Sequence, residues 1–388
     1  MSSIEWTDET WNPIVGCSLE SPGCTNCYAM RMAFRLDEIS RGKSKSATGL
    51  AHYRGLTERV NDKRVWTGVV KRAPEKLFLK PLKWKKPKTI FVNSMGDLFH
   101  ESIPDHEIDA VFAIMALCPQ HTFQILTKRA ERMREYMVQG DNADGDFFER
   151  LADAAVEISG SPCAGHVADI DWPLPNVWLG VSAEDQKRAD ERIPHLLATP
   201  AAKRFISAEP LLGPIDLRTI DVNGETEIAP LGWKWLDRLE AGEVDDSPRL
   251  DWIIAGGESG PGARPPHPDW FRQLRDDCQW ADVPFFFKQW GSWAPAIDRD
   301  KDDPDWRSPD YLKANDNPDR FRILNLAGGQ GFHGDRIHLM ANLGKDKTGA
   351  MLDGREHREF PETKQSEGKA DRPPAAPSSP GDDVARGS

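Results

Sequence analysis

A chain of 388 residues that is 39% hydrophobic and carries fourteen tryptophans can fill a sizeable core, and α/β barrels of this length commonly form one domain. Its formal charge of −12 argues against broad electrostatic capture of nucleic acid but leaves room for a local basic face. The opening Met-Ser-Ser-Ile-Glu-Trp has no basic stretch followed by an apolar one, and no apolar run reaches bilayer length, so neither a signal peptide nor a membrane partner is expected.

Residues 11–16 read as a short first strand that delivers Cys17. Cys17, Cys24 and Cys27 fall within eleven residues, and Pro22-Gly23 turns the chain so that Cys17 can join the Cys24-x-x-Cys27 pair. Thiolates are soft ligands that select zinc, copper(I) or iron–sulfur clusters. A structural zinc closes with four ligands, and the first histidine is as far away as His52. A [4Fe–4S] cluster on three cysteines leaves one iron open to a ligand. The remaining cysteines, Cys118, Cys163 and Cys278, are scattered singly. That is no disulfide framework, and a reduced, cytoplasmic setting follows.

Ala29, Met32, Ala33 and Leu36 recur at helical spacing after the last clustered cysteine, and the polar residues 40–60 read as a loop. Between Lys63 and Lys88 ten Lys/Arg face one acid, Glu75, interleaved with Trp66, Phe78 and Trp84. Such a strip can track a phosphate backbone and stack bases, which makes nucleic acid a candidate partner. The acidic remainder of the chain favours the plainer reading, a solvated surface whose apolar residues pack inward.

A repeating pattern follows. Thr89–Asn93, His121–Thr127, Val177–Val181, Arg204–Ser207, Trp252–Ala255 and Pro284–Lys288 are short apolar runs. Helical patterns lie between them: from Asp105, read as an N-cap, through Met115; over Arg129–Val138; around Ala189 to Leu197; and from Pro268 to Cys278. Apolar strands alternating with amphipathic helices predict an α/β fold with a parallel sheet, a partial or complete TIM-like barrel, with a doubly wound sheet as competitor. The expected organisation is a barrel over 1–294 with insertions near 140–173 and 216–249, an extension without clear period over 295–360, and a disordered tail over 361–388.

Each strand ends in polar residues: Asn93-Ser94 with Asp97, Thr127-Lys128-Arg129, Ser182 with Glu184, Ser207 with Glu209, Gly256-Gly257-Glu258, and Lys288-Gln289. Any loop or helix cap begins with such residues. Six in series, however, suit a ligand rim, because parallel α/β folds bind at the carboxyl ends of their strands.

The cysteine loop resembles that of the radical S-adenosylmethionine (SAM) enzymes, with six and then two residues between its cysteines. Thr10-Trp11-Asn12-Pro13, Gly16-Cys17, Gly23-Cys24, Cys27-Tyr28-Ala29, Ser94–Phe99, Gly256–Gly260 and Leu352-Asp353-Gly354 with Phe360-Pro361 resemble an uncharacterised, largely phage- and prophage-associated family. The resemblance implies a [4Fe–4S] cluster on Cys17, Cys24 and Cys27, SAM as cofactor, an external electron donor, and hydrogen abstraction from a substrate such as a nucleic acid or nucleotide. By position it assigns cofactor binding to Asn93, Ser94, Met95, Gly96, Asp97, Lys128, Arg129, Ser182, Glu209, Gly256, Gly257 and Glu258. Lys128 or Arg129 would pair with the SAM carboxylate, and Ser182 would meet the ribose. Two other readings stay open: a zinc-binding, nucleic-acid-binding protein, and a non-catalytic barrel that is a partner protein in a phage or defence assembly.

Overall fold

The computed structural model describes residues 4–42, 49–61, 63–141, 145–222, 224, 226–232, 247–300, 317, 319–324 and 336–362. Seven strands form one sheet: β1 (Glu9–Trp11), β2 (Thr89–Val92), β3 (Thr122–Thr127), β4 (Val177–Ser182), β5 (Lys203–Ala208), β6 (Trp252–Gly256) and β7 (Phe285–Gln289). Spatial order follows chain order and every pairing is parallel. The edge strands β1 and β7 are not hydrogen-bonded to each other, so the sheet is a half-barrel, the open form of the expected TIM-like architecture.

Parallel strands need crossovers, and helices supply most of them. These are α1 (Tyr28–Arg41), α2 (Asp105–Ala116), α3 (Ala130–Asp141), α4 (Gly145–Ser159), α5 (Gln186–Leu197) and α6 (Pro268–Trp280). The described part of the β5–β6 connection carries instead a hairpin of Ile220–Val222 and Thr226–Ile228.

The strands are apolar throughout because both faces are covered. Ile90, Val92, Phe123, Ile125, Leu179, Ile206, Ile253 and Phe285 join the main core under the helices. Their neighbours Phe91, Trp178, Phe205, Trp252, Ile254 and Phe286 point the other way and enclose Trp6, as the period of two demands. This inner core is a set of edge-on rings: Trp6 lies 4.7 Å from Phe91, and Trp252 lies 6.1 Å from Trp178 and 6.0 Å from Phe286. Ile254 is fully buried among them. Trimming it, Ile254→Val, should lower stability by about 0.5–1.5 kcal/mol in urea unfolding.

The C-terminal segment covers part of the open edge. Phe286 bridges Arg358, the Phe287 N–H donates to the His357 carbonyl at 3.0 Å, and the Phe360 ring lies 5.2 Å from Trp252. Arg358 also pairs with Glu5 at 3.0 Å, so the two ends of the described chain meet there.

Four local expectations are corrected. The first sheet strand ends at Trp11 rather than running to residue 16, because Pro13 has no N–H for the ladder. Pro104, not Asp105, is the N-cap of α2, and Asp105 instead places its charge in the first turn, where the helix dipole favours it. Thr57–Val60, expected as loop, pairs with Lys63–Trp66 in a hairpin. The segment 295–360 contains a regular antiparallel sheet of β8 (Trp293–Asp300), β9 (Phe321–Ile323) and β10 (Arg336–Asn342), with β10 in the centre. Residues 363–388 of the expected disordered tail, and 233–246 of the second insertion, lie outside the described residues. Among the described residues no helix is long and apolar enough to cross a membrane.

Candidate functional site

The cysteine loop begins where the chain leaves the sheet. After Pro13 the chain pairs Ile14–Val15 antiparallel with Lys71–Arg72. Gly16 then takes φ +99°, and a Cβ there would stand 2.1 Å from the Val69 carbonyl oxygen, so a side chain has neither the conformation nor the room. Its N–H donates to the Met95 carbonyl at 3.0 Å, which lays the start of the loop against the turn after β2. Cys17 follows, Pro22–Cys24 makes one 3-10 turn, and Cys27 is the N-cap of α1. Cys24 is buried and the other two are half-buried.

Residues at the strand ends grip this loop. Asp97, after β2, accepts hydrogen bonds from Thr127 Oγ1 at 2.7 Å, the Lys128 N–H at 3.0 Å and Arg129 Nη1 at 3.1 Å. Arg129 donates onward to Ser18 Oγ at 2.6 Å and Glu101 Oε2 at 2.7 Å, and its Nη1 lies 3.7 Å from Cys17 Sγ. Glu184, after β4, accepts from the Gly23 N–H at 3.2 Å, Lys128 Nζ at 3.0 Å and Arg192 Nη1 at 3.0 Å. Glu258, after β6, accepts from Asn26 Nδ2 at 2.9 Å and from Arg264, whose Nη2 also donates to the Pro22 carbonyl at 3.0 Å. The Tyr28 hydroxyl donates to the Ser94 carbonyl at 2.7 Å. The loop is thus fastened to the ends of β2, β3, β4 and β6 by protein groups alone.

The electrostatics follow from this burial. Loss of solvent, then the Asp97 carboxylate, push the Cys17 thiol up to about 12 against the pull of Arg129. Burial also raises Cys27, opposed by the first-turn amides of Met30 and Ala29. Burial works against the Glu184 carboxylate too, but Lys128 and Arg192 outweigh it and hold the group at about 2. Metal ligation by Cys17 and Cys27 would therefore release protons.

The three cysteines open into one cavity of about 400 Å³ at the carboxyl ends of the strands. Asn93, Ser94, Gly96, Asp97, Lys128, Arg129, Ser182, Glu209, Gly257 and Glu258 line it, as do Ser207, Lys288, Gln289 and the apolar floor of Trp6, Phe91 and Leu126. Two of the expected residues are not in the wall. Met95 turns into a small cluster with Val15, Ala29 and Tyr53, and Gly256 closes β6 beside Glu209. Gly257 allows a close crossing, since a Cβ there would stand 1.9 Å from the Trp290 carbonyl oxygen. Asn93, in the left-handed region at φ 59°, sets its amide against the backbone of Ile14. Lys128 and Arg129, expected to meet a ligand carboxylate, already have protein carboxylates as partners and hold the loop. Glu209 pairs with Lys288 Nζ at 2.8 Å. Ser182 and Ser207 stand opposite each other in register on β4 and β5, 6% and 2% exposed, and both line the cavity.

Sequence reasoning missed Arg192 and Arg264 as parts of this constellation; it named Glu184 at a strand end and Tyr28 in the cysteine motif, but not their roles as anchors of the loop, because their partners come from distant segments.

The donor set fits a metal–sulfur cofactor. Zinc–sulfur bonds of 2.3 Å place tetrahedral sulfurs roughly 3.8 Å apart. Among the described residues, the trio of ligand atoms gathered within 4.8 Å of one another belongs to His267, Asp269 and His338, not to the cysteines.

The basic segment 63–88 adds little stacking surface. Trp66 and Phe78 are buried, Arg72 pairs with Glu107, and Lys80 and Lys88 pair with Glu9. Lys76, Lys83, Lys85 and Lys86 remain exposed.

In comparison with known proteins, a family model described as "Protein of unknown function (DUF5131)" matches residues 1–361. No curated protein and no solved structure matches the chain.

Proposed function

The chain belongs to this family of unknown function, and we propose that it is an iron–sulfur enzyme of the radical SAM type, in which Cys17, Cys24 and Cys27 hold a [4Fe–4S] cluster and SAM occupies the cavity beside it. One observation carries the reading: a loop with three free cysteines opens into the same cavity as the ends of six parallel strands. Such a cofactor pair supplies one-electron cleavage of a sulfonium bond and hydrogen abstraction from a substrate.

The chain's own residues position and shield. Arg129 and Glu184 fix the loop at Ser18 and Gly23, so that the cysteines are arranged before any cofactor binds. Arg129 Nη1, near Cys17 Sγ, and Lys128 place positive charge beside thiolates, which favours reduction of a ligated cluster. The facing hydroxyls of Ser182 and Ser207 suit a ribose, and the Glu209–Lys288 pair suits a zwitterionic ligand. Trp6, Phe91 and Leu126 give an apolar floor that excludes water from the reacting atoms. The reading requires an external electron donor. Six cysteines without a disulfide framework support a reducing, cytoplasmic setting. A nucleotide or nucleic-acid substrate rests on the basic segment 63–88 alone, whose Lys76, Lys83, Lys85 and Lys86 are exposed but do not line the cavity.

Purification without oxygen tests the proposal. The expected result is a brown protein with about four irons and as many sulfides per chain, whose broad absorption bleaches with dithionite and which consumes SAM when reduced. A colourless protein with zinc on its cysteines overturns it.

A further inference from the structure

We propose that His267, Asp269 and His338 form a second metal site, which takes one divalent ion of the zinc class and clasps the C-terminal sheet to the half-barrel. The three residues come from two parts of the fold. His267 is the N-cap of α6 and Asp269 lies in its first turn, whereas His338 lies on β10, the central strand of the C-terminal sheet. One ligand atom from each lies within 4.8 Å of the others. Asp269 Oδ2 stands 3.0 Å from His338 Nε2 and 3.9 Å from His267 Nδ1. The imidazoles are 1% and 2% exposed, with ring centres 4.3 Å apart and edge to face. Two imidazoles and one carboxylate suit zinc, and they suit calcium or magnesium poorly.

The groups behind these atoms have the form of an outer shell. Each carboxylate divides its two oxygens between a histidine and Arg272. Asp269 turns Oδ2 to His338 and Oδ1 to Arg272 Nη1 at 2.6 Å. Asp298, on β8, brings Oδ1 to 3.0 Å from His338 Nδ1, an ion-pair contact outside hydrogen-bond alignment, and turns Oδ2 to Arg272 Nη2. A carboxylate behind one imidazole nitrogen leaves the other directed at the ion and fixes the ring, and a hydrogen-bonded carboxylate ligand is likewise held in orientation.

Charged groups surround the trio: Asp269, Asp298 and Asp353 face Arg272, and Arg275 pairs with Asp353 and Asp276. His267 Nδ1 accepts the Asp269 N–H at 3.1 Å, which leaves Nε2 as the nitrogen open to an ion, and Nε2 is buried without a hydrogen-bond partner among the described residues. A buried orphan of this kind is costly, and an ion with its coordinated water offers it a partner. The clasp bears on the main cavity through the chain itself, because Lys345, in the cavity wall, follows three residues after β10 ends at Asn342.

The test uses the full chain with Cys17, Cys24 and Cys27 replaced by alanine, so that thiolates do not compete. Titration with zinc is expected to show one equivalent bound and a rise in melting temperature. Cobalt(II) should give ligand-field bands without sulfur-to-metal charge transfer. His338→Ala should abolish binding, and Asp298→Asn, which touches only the outer shell, should weaken it about 10–100-fold. Should the triple variant fail to fold, the cobalt spectrum of the wild-type chain separates a nitrogen–oxygen site from a sulfur site. The proposal is overturned if the folded protein binds neither ion, or if binding survives loss of both histidines. A proton on His338, shared between Asp269 and Asp298, would then hold the cluster instead.

Discussion

Cys27→Ala is expected to remove nearly all bound iron and reduce SAM cleavage to background while the chain stays folded. The reason lies in what holds the cysteine loop. Its fixed points are the Arg129–Ser18 bond, the Glu184–Gly23 bond and the Glu258–Asn26 bond, and none of them passes through a sulfur atom. Cys27 is half-buried and adds little to the main core, so its loss leaves only a small void at the start of α1. A structural zinc would behave in the opposite way, because metal-binding energy is then folding energy and the variant should lose cooperative unfolding. Iron and sulfide content read beside near-ultraviolet circular dichroism separates the cases. Full iron in the variant would remove Cys27 from the ligand set, and a collapsed variant would favour the structural metal.

The parallel sheet was legible because each strand is a short apolar run with polar residues behind it, and both of its faces are covered. The convergence of Asp97, Ser182, Glu209 and Glu258 on one cavity was legible for a topological reason. In a parallel sheet every strand ends on the same rim, so polar residues after strands become neighbours without any local signal between them. What was not legible depended on direction or on partner. Met95 lies between two residues that face the cavity, yet its own side chain points to Val15 and Ala29, a matter of backbone angle that motif reading does not carry. Arg129 looked like an anion-binding cation, but the partner it meets is the protein's own Asp97, 32 residues away. His338 and Asp269 are 69 residues apart and belong to elements with no shared period, so no spacing rule joins them. The C-terminal sheet escaped notice because Trp293-Ala-Pro-Ala does not alternate apolar with polar, and its partner strand lies some forty residues on.

Replacing Glu184 by glutamine should destabilise the protein by about 3–5 kcal/mol at neutral pH, the cost of removing one partner from a buried ionic cluster. The side chain is fully buried and serves three donors, Lys128 Nζ, Arg192 Nη1 and the Gly23 N–H. Glutamine keeps the shape and can leave its one acceptor oxygen on the position that both cations share, but its NH₂ then faces the Gly23 N–H and the two cations lose their counter-charge. The pH dependence separates lost charge from altered packing. Burial raises the carboxyl, but Lys128 and Arg192 prevail and hold it at about 2, against an ordinary value of 4.5. Between these values the unfolded chain takes up a proton that the folded chain does not, so stability rises with pH. The contribution is complete above about pH 4.5 and is lost as the pH falls toward 2. The wild-type and Glu184→Gln urea midpoints should therefore stand apart at pH 7 and converge through that window. A gap that stays constant down to pH 2 would assign the loss to packing. A gap below about 0.5 kcal/mol at pH 7, within the range of ordinary surface substitutions, would mean that Glu184 does not hold the cations as its geometry indicates. Because the same carboxylate anchors Gly23 beside Cys24, the folded variant should also bind less iron, which ties the stability of the strand ends to the occupancy of the loop.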